Sequence, residues 1–420
     1  MKFKHIAGGL IDRRCFLKKG LVFSVAATVP ASLSAQTVLK QERTQWMSEP
    51  GIGFSNYGHP SPFEKKTIRW TMANSHALGN GVSWTPLQDL DGIITPSGLH
   101  FERHHNGVPQ IDPATHRLTI HGLVTHALEF SIESLLQYPK ISRICFIECG
   151  GNSNAGWHKN PIQTPVGNFH GMVSCSEWSG IPLKLLLNET QPHHDAQWVI
   201  AEGGDASLMN ISLPLNKAMD DCFIALYQNG ERIRPENGYP LRLIVPGWEG
   251  VLNVKWLRRL HITNQPTMSR NETAKYTELL PSGKAQQFSF IMAAKSIITN
   301  PSFGHQLNRF GLYQISGLAW SGRGKITRVE VSADHGQTWL DAELQEPILS
   351  MCFTRFRIPL EWHGQAVVLS SRATDETGYV QPSRTELIAQ RGRHGYFHYN
   401  AIVNWAISTQ GHVSHVYDQI

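Results

Sequence analysis

A cysteine followed at once by two glycines, Cys149-Gly150-Gly151 within "FIECGGNSNAGW", is the group in this chain best suited to do chemistry. The run before it, "ISRICFIE", is β-branched and apolar and predicts a strand. Two residues without side chains then permit a sharp turn and a close approach of backbone to something bulky. A thiol at such a strand end can meet a ligand, and as a thiolate it is both a nucleophile and a soft metal donor. Taken alone, a cysteine in this setting is more often a small buried hydrophobe. Cys145, Cys175, Cys222 and Cys352 lack comparable surroundings and read as core thiols. The chain has no C-x-x-C for a zinc ribbon or dithiol site and no C-x-x-C-H for covalent haem. It also has no G-x-x-x-x-G-K-[ST] phosphate loop.

The elements that must position Cys149 are short and mixed. Residues 36–95 are rich in Gly, Pro and Ser and read as a lead-in arm that wraps another part of the protein. Residues 96–280 alternate short strands ("RLTIHGLV", "WVIAEG", "LRLIVPG") with short helices ("IPLKLLLNET", "PLNKAMDD") without repeating as βαβ. That pattern predicts an α+β domain rather than a doubly wound one. After a polar stretch near 285 the character changes. "ITRVEVSADHGQTWLDAEL" places Val329, Val331 and Ala333 on one face and then turns at D-H-G. Helical periodicity is nearly absent from 286 to 392, and strands at short intervals predict an immunoglobulin-like β-sandwich over 286–420. The catalytic domain with its arm is expected over 36–285.

The first 35 residues stand apart. Charged "DRRCFLKK" is followed by the apolar "GLVFSVAATVPASLSA", the order of an export signal, too short for a membrane span. Arg13-Arg14 with Phe16, Leu17 and Lys18 fits the twin-arginine pattern, with cleavage after Ser34 or Ala35. That route carries proteins already folded around a cofactor, so the expected location is the periplasm. Of the 38 basic and 33 acidic residues, this segment holds six and one, leaving 32 of each. A balanced mature chain argues against a nucleic-acid partner. Its five cysteines leave at least one unpaired in an oxidising compartment.

Four stretches, "FERHHNGVP" (101–109), "ECGGN" (148–152), "NGYPLRLIVPGWEGVLNVKWL" (237–257) and "GLAWSGRGKITRVEVSADHGQTW" (317–339), together resemble the sulfite oxidase family of molybdenum enzymes, in order, from about residue 95 onward. Within it they look most like the molybdenum subunit of the sulfane dehydrogenases of periplasmic thiosulfate oxidation. The resemblance implies a molybdenum–molybdopterin cofactor with Cys149 as the protein thiolate on the metal. It implies donors to the cofactor from Phe101, Arg103, His105, Asp205, Asn237, Arg242, Asn253, Val254 and Lys255. Arg103 corresponds to a substrate-binding arginine, Tyr276 to a tyrosine that assists proton-coupled electron transfer, and Trp178 to a wall of the substrate pocket.

Two departures bear on substrate. Where the family carries its second and third pocket arginines, this chain has Asn154 and His394, the latter beside Arg393. Arg grips an oxyanion bidentately, Asn is neutral, and His is charged only at lower pH. Such a pocket suits a persulfide on a carrier's thiol better than free sulfite. The expected activity is therefore oxidation of carrier-bound sulfane sulfur, with electrons leaving singly to a separate c-type cytochrome subunit, since no haem site lies on this chain. The sandwich would pair two such subunits within a larger hetero-oligomer. The alternatives are a free-sulfite dehydrogenase with the same centre, a periplasmic molybdenum reductase of sulfoxides, and a non-enzymatic immunoglobulin-like binding protein.

Overall fold

The strand that leads into Cys149 lies at the edge of its sheet, with one strand neighbour. In the computed structural model, which describes residues 7–10 and 55–417, Ile141–Glu148 pairs antiparallel with Val173–Pro182, placing Glu148 opposite Val173. Val173–Pro182 pairs in turn with Phe223–Gln228, to which Glu231–Arg232 and Arg242–Ile244 are added. A second sheet has five strands in the order Leu128–Ser131, Arg117–Gly122, Leu257–Thr263, Trp198–Gly203, Asn210–Pro214. Its one parallel pair joins Leu257–Thr263 to Arg117–Gly122. The architecture is α+β, as the absence of a βαβ repeat predicts.

Helices fill the space between these sheets by simple periodicity. In Leu183–Thr190, residues Leu183, Leu186, Leu187 and Thr190 are buried at i, i+3, i+4 and i+7. They join a core that includes Leu118, Ile120, Val199, Leu243 and Leu260. Each such leucine contributes about 1.5–3 kcal/mol by leaving water.

The sandwich stacks two sheets. One contains Lys295–Asn300, Gly311–Trp320, Thr354–Trp362 and Glu343–Gln345. The other contains Leu340–Asp341, Ile326–Ser332, Val367–Asp375, Asn404–Ile407 and Val413–Val416. Val329, Val331 and Ala333 are buried as the alternation predicts, and the D-H-G turn holds His335 and Gly336 at positive φ (62° and 80°). Glu330 on the opposite face is buried too, because Arg372 Nε (2.8 Å) and Arg328 Nη2 (3.0 Å) neutralise it. The sandwich core runs on into the first domain. Phe146, Phe169, Val173 and Cys175 pack in one cluster with Ile297, Leu318 and Trp320. Cys175 Sγ lies 3.4 Å from Cys352 Sγ across this boundary, and all five cysteines from 145 to 352 are free thiols.

Two features differ from the sequence reading. A helix, Arg384–Arg391, lies within the stretch read as almost wholly strand. Its mean apolarity is low, so periodicity did not mark it, but Ser383 and Glu386 form a capping box that starts it. The lead-in arm does more than wrap. Its strand Trp70–Ala73 pairs with Gly81–Trp84, which pairs in turn with Glu102–His104 and sets Arg103 opposite Val82. Of the segment read as an export signal, Leu10 bridges to Leu360 and is buried. The paired arginines and the apolar run lie outside the described residues, as does the arm before residue 55. Among the described residues no helix is long and apolar enough to cross a membrane.

Candidate active site

Glu148, the last strand residue before Cys149, is buried and held from both domains. Its carboxylate accepts from Trp320 Nε1 (2.7 Å), Asn152 Nδ2 (2.9 Å) and Lys295 Nζ (3.2 Å). Lys295 also donates to Ser153 Oγ (2.6 Å), which meets His170 Nδ1 at 2.6 Å. Cys149 N donates to Met172 O (2.9 Å), and its carbonyl accepts from Asn152 N (2.8 Å), closing the turn. The thiol is therefore fixed by its neighbours on both sides. The enclosing walls push it up to about 11, with Glu249 adding to the rise, so without a metal it stays protonated.

Packing requires a glycine at 150 but not at 151, and turn geometry requires it at neither. Neither has positive φ, whereas Ser153 does (65°). A Cβ on Gly150 would fall 1.7 Å from Glu249 Oε1, and one on Gly151 would fall 3.4 Å from the ring of Tyr396. Side chains from elsewhere in the fold thus occupy part of the space that the sequence reading left for a ligand.

Cys149 opens into a cleft walled by Phe101, Arg103, His105, Asp205 and Arg242 and, on the other side, by Asn253, Val254, Lys255 and Tyr276. At one end Arg242 is buried with only carbonyls for partners. Its Nε donates to Asn253 O (3.2 Å) and its Nη1 to Asn237 O (2.9 Å). Burial lowers it to about 9. Lys255 Nζ donates to Arg103 O and Glu236 O (both 3.2 Å) and meets His104 Nδ1 at 2.8 Å. Burial first, then Arg242, hold it well below the usual lysine range. Asp205 and Glu102 are near enough to act on Lys255, but no ion pair among the described residues engages either desolvated cation. The two therefore make a cradle for an anion, because a dianion placed there would restore the charge both lose on burial. His105 is held down to about 4 by burial and Arg103, so it is neutral at pH 7.

The remaining candidate residues lie outside the cleft wall. Asn237 is buried behind it and supports Arg242, while its amide donates to Gln228 Oε1 (2.9 Å) and Ser97 O (3.2 Å). Trp178 is fully buried with the Arg242 guanidinium 5.2 Å above its ring, so it backs the cradle and does not wall a substrate pocket. Asn154 starts the turn Asn154–Trp157. Arg393 and His394 are exposed. The segment after them supplies the groups that reach inward. His398 N donates to Gly150 O (2.8 Å), and Phe397 stacks on Tyr276 with centroids 5.1 Å apart. Glu278 holds this segment by accepting from Phe397 N (2.8 Å), Tyr396 N (3.3 Å) and Arg391.

Sequence reasoning missed Glu249 and His398. Their side chains approach at 3.3 Å, both are almost fully buried, and both border the Cys149 turn. No local pattern marks either; the one clue is a carboxylate among apolar and glycine neighbours in "PGWEG". Tyr276 is raised well above the usual phenol range by burial, then by Cys149 and Glu249.

No group of three or more His, Cys, Asp or Glu side chains among the described residues could hold a metal. Cys149 therefore offers a metal one protein donor, and the other ligands must come with a cofactor. A pterin dithiolene carrying a phosphate fits both ends of this cleft, with sulfur chemistry at Cys149 and a dianion at Arg242 and Lys255.

The comparisons with known proteins agree with that fit. Residues 105–271 match the oxidoreductase molybdopterin binding domain, and residues 286–405 match the Mo-co oxidoreductase dimerisation domain. The mitochondrial sulfite oxidase of Rattus norvegicus is 31% identical over 278 residues, 61% of this chain and 50% of that protein. The NADH nitrate reductase of Ulva prolifera is 31% identical over 280 residues, 59% of this chain and 32% of that protein. This chain thus spans half or less of the length of those two relatives. The crystal structure of the sulfane dehydrogenase SoxCD from Paracoccus pantotrophus superposes with a TM-score of 0.88 at 40% identity, covering 92% of this chain and 100% of the matched one. With both domain types in order and that relative matched over its full length, the chain belongs to the sulfite oxidase family of molybdopterin oxidoreductases.

Proposed function

We propose that this protein is the molybdenum-bearing subunit of a sulfane dehydrogenase, oxidising sulfur held on the thiol of a carrier protein. The observation that carries this reading is the charge around Cys149. Arg103 walls the cleft there, while Asn154 and His394 stand where the family has two more arginines, and the His394 side chain is exposed. Free sulfite, a dianion above neutral pH, would find little to balance it. A sulfur bonded to a peptide carries less charge and needs less. The likeness to the sulfane dehydrogenase SoxCD supports the same substrate class.

In this reading Arg242 and Lys255 hold the cofactor phosphate, and Cys149 holds the metal. When bound, the cofactor would supply two-electron oxygen-atom-transfer chemistry, with water as the oxygen source. Arg103 orients the substrate. The Tyr276 hydroxyl stays protonated and offers a hydrogen bond to the reacting oxygen. Phe397 covers one face of Tyr276 by stacking on its ring. A separate c-type cytochrome would accept the electrons one at a time, and the dimerisation domain would pair two of these subunits. The twin-arginine pattern at Arg13-Arg14 supports a periplasmic location for the assembly. A free-sulfite dehydrogenase is the second reading, favoured by the presence of Arg103. Steady-state kinetics with sulfite and with thiosulfate-loaded carrier protein, using a cytochrome acceptor, separate them. Carrier-bound sulfur should give the higher kcat/KM, and saturation by micromolar sulfite would reverse the assignment.

A further inference from the structure

Glu249 places a carboxylate that nothing above uses behind the Cys149 turn, against Gly150 and outside the lining of the cofactor cleft. It is 5% exposed, and its backbone is fixed, with N donating to Phe290 O (2.7 Å) and the carbonyl accepting from Asn253 Nδ2 (3.2 Å). One carboxylate oxygen, Oε2, lies 3.3 Å from His398 Nε2. The other, Oε1, accepts no hydrogen bond from any described residue and presses on Gly150, the neighbour of Cys149. Glu249 lines a small hollow with Tyr276 and Val251, and those two also wall the cofactor cleft. A buried carboxylate oxygen without a donor costs about 1–3 kcal/mol or more, so its position needs a reason.

We propose that Glu249 is the specificity-determining residue of this site, a fixed charge beside the Cys149 turn that rejects free oxyanions and favours a low-charge sulfur substrate. The inference rests on the carrier-bound reading of function. Sulfite above neutral pH has two negative charges, so it meets repulsion. A sulfur group on a peptide has at most one charge. Arg103 alone would attract either ligand; Arg103 with Glu249 is close to neutral and discriminates between them.

The test uses molybdenum-loaded enzyme at pH 8, with inert sulfate as the probe of anion binding by calorimetry and sulfite and loaded carrier as substrates. At an effective dielectric near 20, a unit charge within about 10 Å of a dianion is worth more than tenfold in affinity. Glu249→Gln should therefore lower the sulfate Kd and the sulfite KM by at least about tenfold, while the KM for carrier-bound sulfur stays the same or rises. If the Gln variant does not load molybdenum, Glu249→Asp carries the test. It draws the charge back by one methylene and should tighten sulfate about threefold. Unchanged sulfate affinity in a molybdenum-loaded variant overturns the role of Glu249 and leaves the carrier-bound reading standing. A wild type that saturates with micromolar sulfite overturns that reading instead.

Discussion

The two ends of the cleft are built on opposite plans. The phosphate end is strongly cationic, and its charges, Arg242 and Lys255, come from one stretch of 14 residues and rest on backbone carbonyls such as Asn237 O and Glu236 O. The metal end draws Arg103, Cys149, Glu249, Tyr276 and His398 from five separated segments, the last reaching in from beyond the sandwich's first sheet. Its charges nearly cancel. A cofactor phosphate does not vary, so its cradle can be local and rigid. The metal-end groups are more dispersed: Arg103 sits on the strand Glu102–His104, Glu249 lies within the cradle's own stretch, and Cys149, Tyr276 and His398 come from three further segments.

That contrast breaks if the two ends fail in the same way. Cys149→Ser replaces a soft thiolate with a hard, weak donor and should bring turnover to background, while pterin content and melting temperature stay close to wild type. Lys255→Met should also abolish turnover, but by emptying the cleft. Each lost charge-assisted contact is worth about 1.5–3 kcal/mol, and Lys255 would make more than one, so the loaded fraction should fall at least tenfold or so. Fluorescence of released pterin after acid oxidation separates the cases. Equal pterin loss in both variants would show that the ends are not independent.

The same division explains what could be read from sequence. Cys149 was legible because strand end, thiol and glycines are adjacent, and the strands and the helix Leu183–Thr190 follow from period alone. The cradle residues share one recognisable stretch. Glu249 and His398 were illegible because their meaning is a 3.3 Å approach across 149 positions, for which neither residue type has a local marker. Trp178 went the other way. Read as a pocket wall, it is fully buried, since a tryptophan on a central strand gains more from burial than a pocket can offer. The helix Arg384–Arg391 was hidden by its low apolarity, although its capping box was in plain view.

A middle-sized effect is expected where the domains meet behind Cys149. Lys295 and Glu148 are a fully buried pair, and Lys295→Met leaves Glu148 charged and partly uncompensated. Breaking such a pair costs about 3–5 kcal/mol. Urea unfolding should show that loss, and adding Glu148→Gln should recover part of it, because the neutral amide still accepts from Trp320. A loss below about 1 kcal/mol would mean that the apolar boundary around Phe146 and Leu318, and not the ion pair, sets the register between domains.

The smallest effect tests whether the metal-end wall depends on a distant cap. Ser383 Oγ accepts from Glu386 N (3.2 Å), and Glu386 Oε2 accepts from Ser383 N (2.7 Å). These bonds hold the Glu386 carboxyl below its usual range. The helix they start ends at Arg391, which pairs with Glu278, and Glu278 in turn holds the amides of Tyr396 and Phe397. Ser383→Ala removes one side of the box and should cost about 1 kcal/mol, most of it local to this helix. If the chain of contacts is as tight as it looks, amide exchange should quicken at Leu387, Arg391, Tyr396 and Phe397 and stay unchanged at Arg242 and Lys255. Sulfur turnover would then fall by no more than about threefold, the share of that kcal/mol transmitted to Tyr276 through its stacked ring. Faster exchange at the cradle as well would show that the two ends breathe together, and the division between a rigid cofactor end and an adjustable substrate end would not survive.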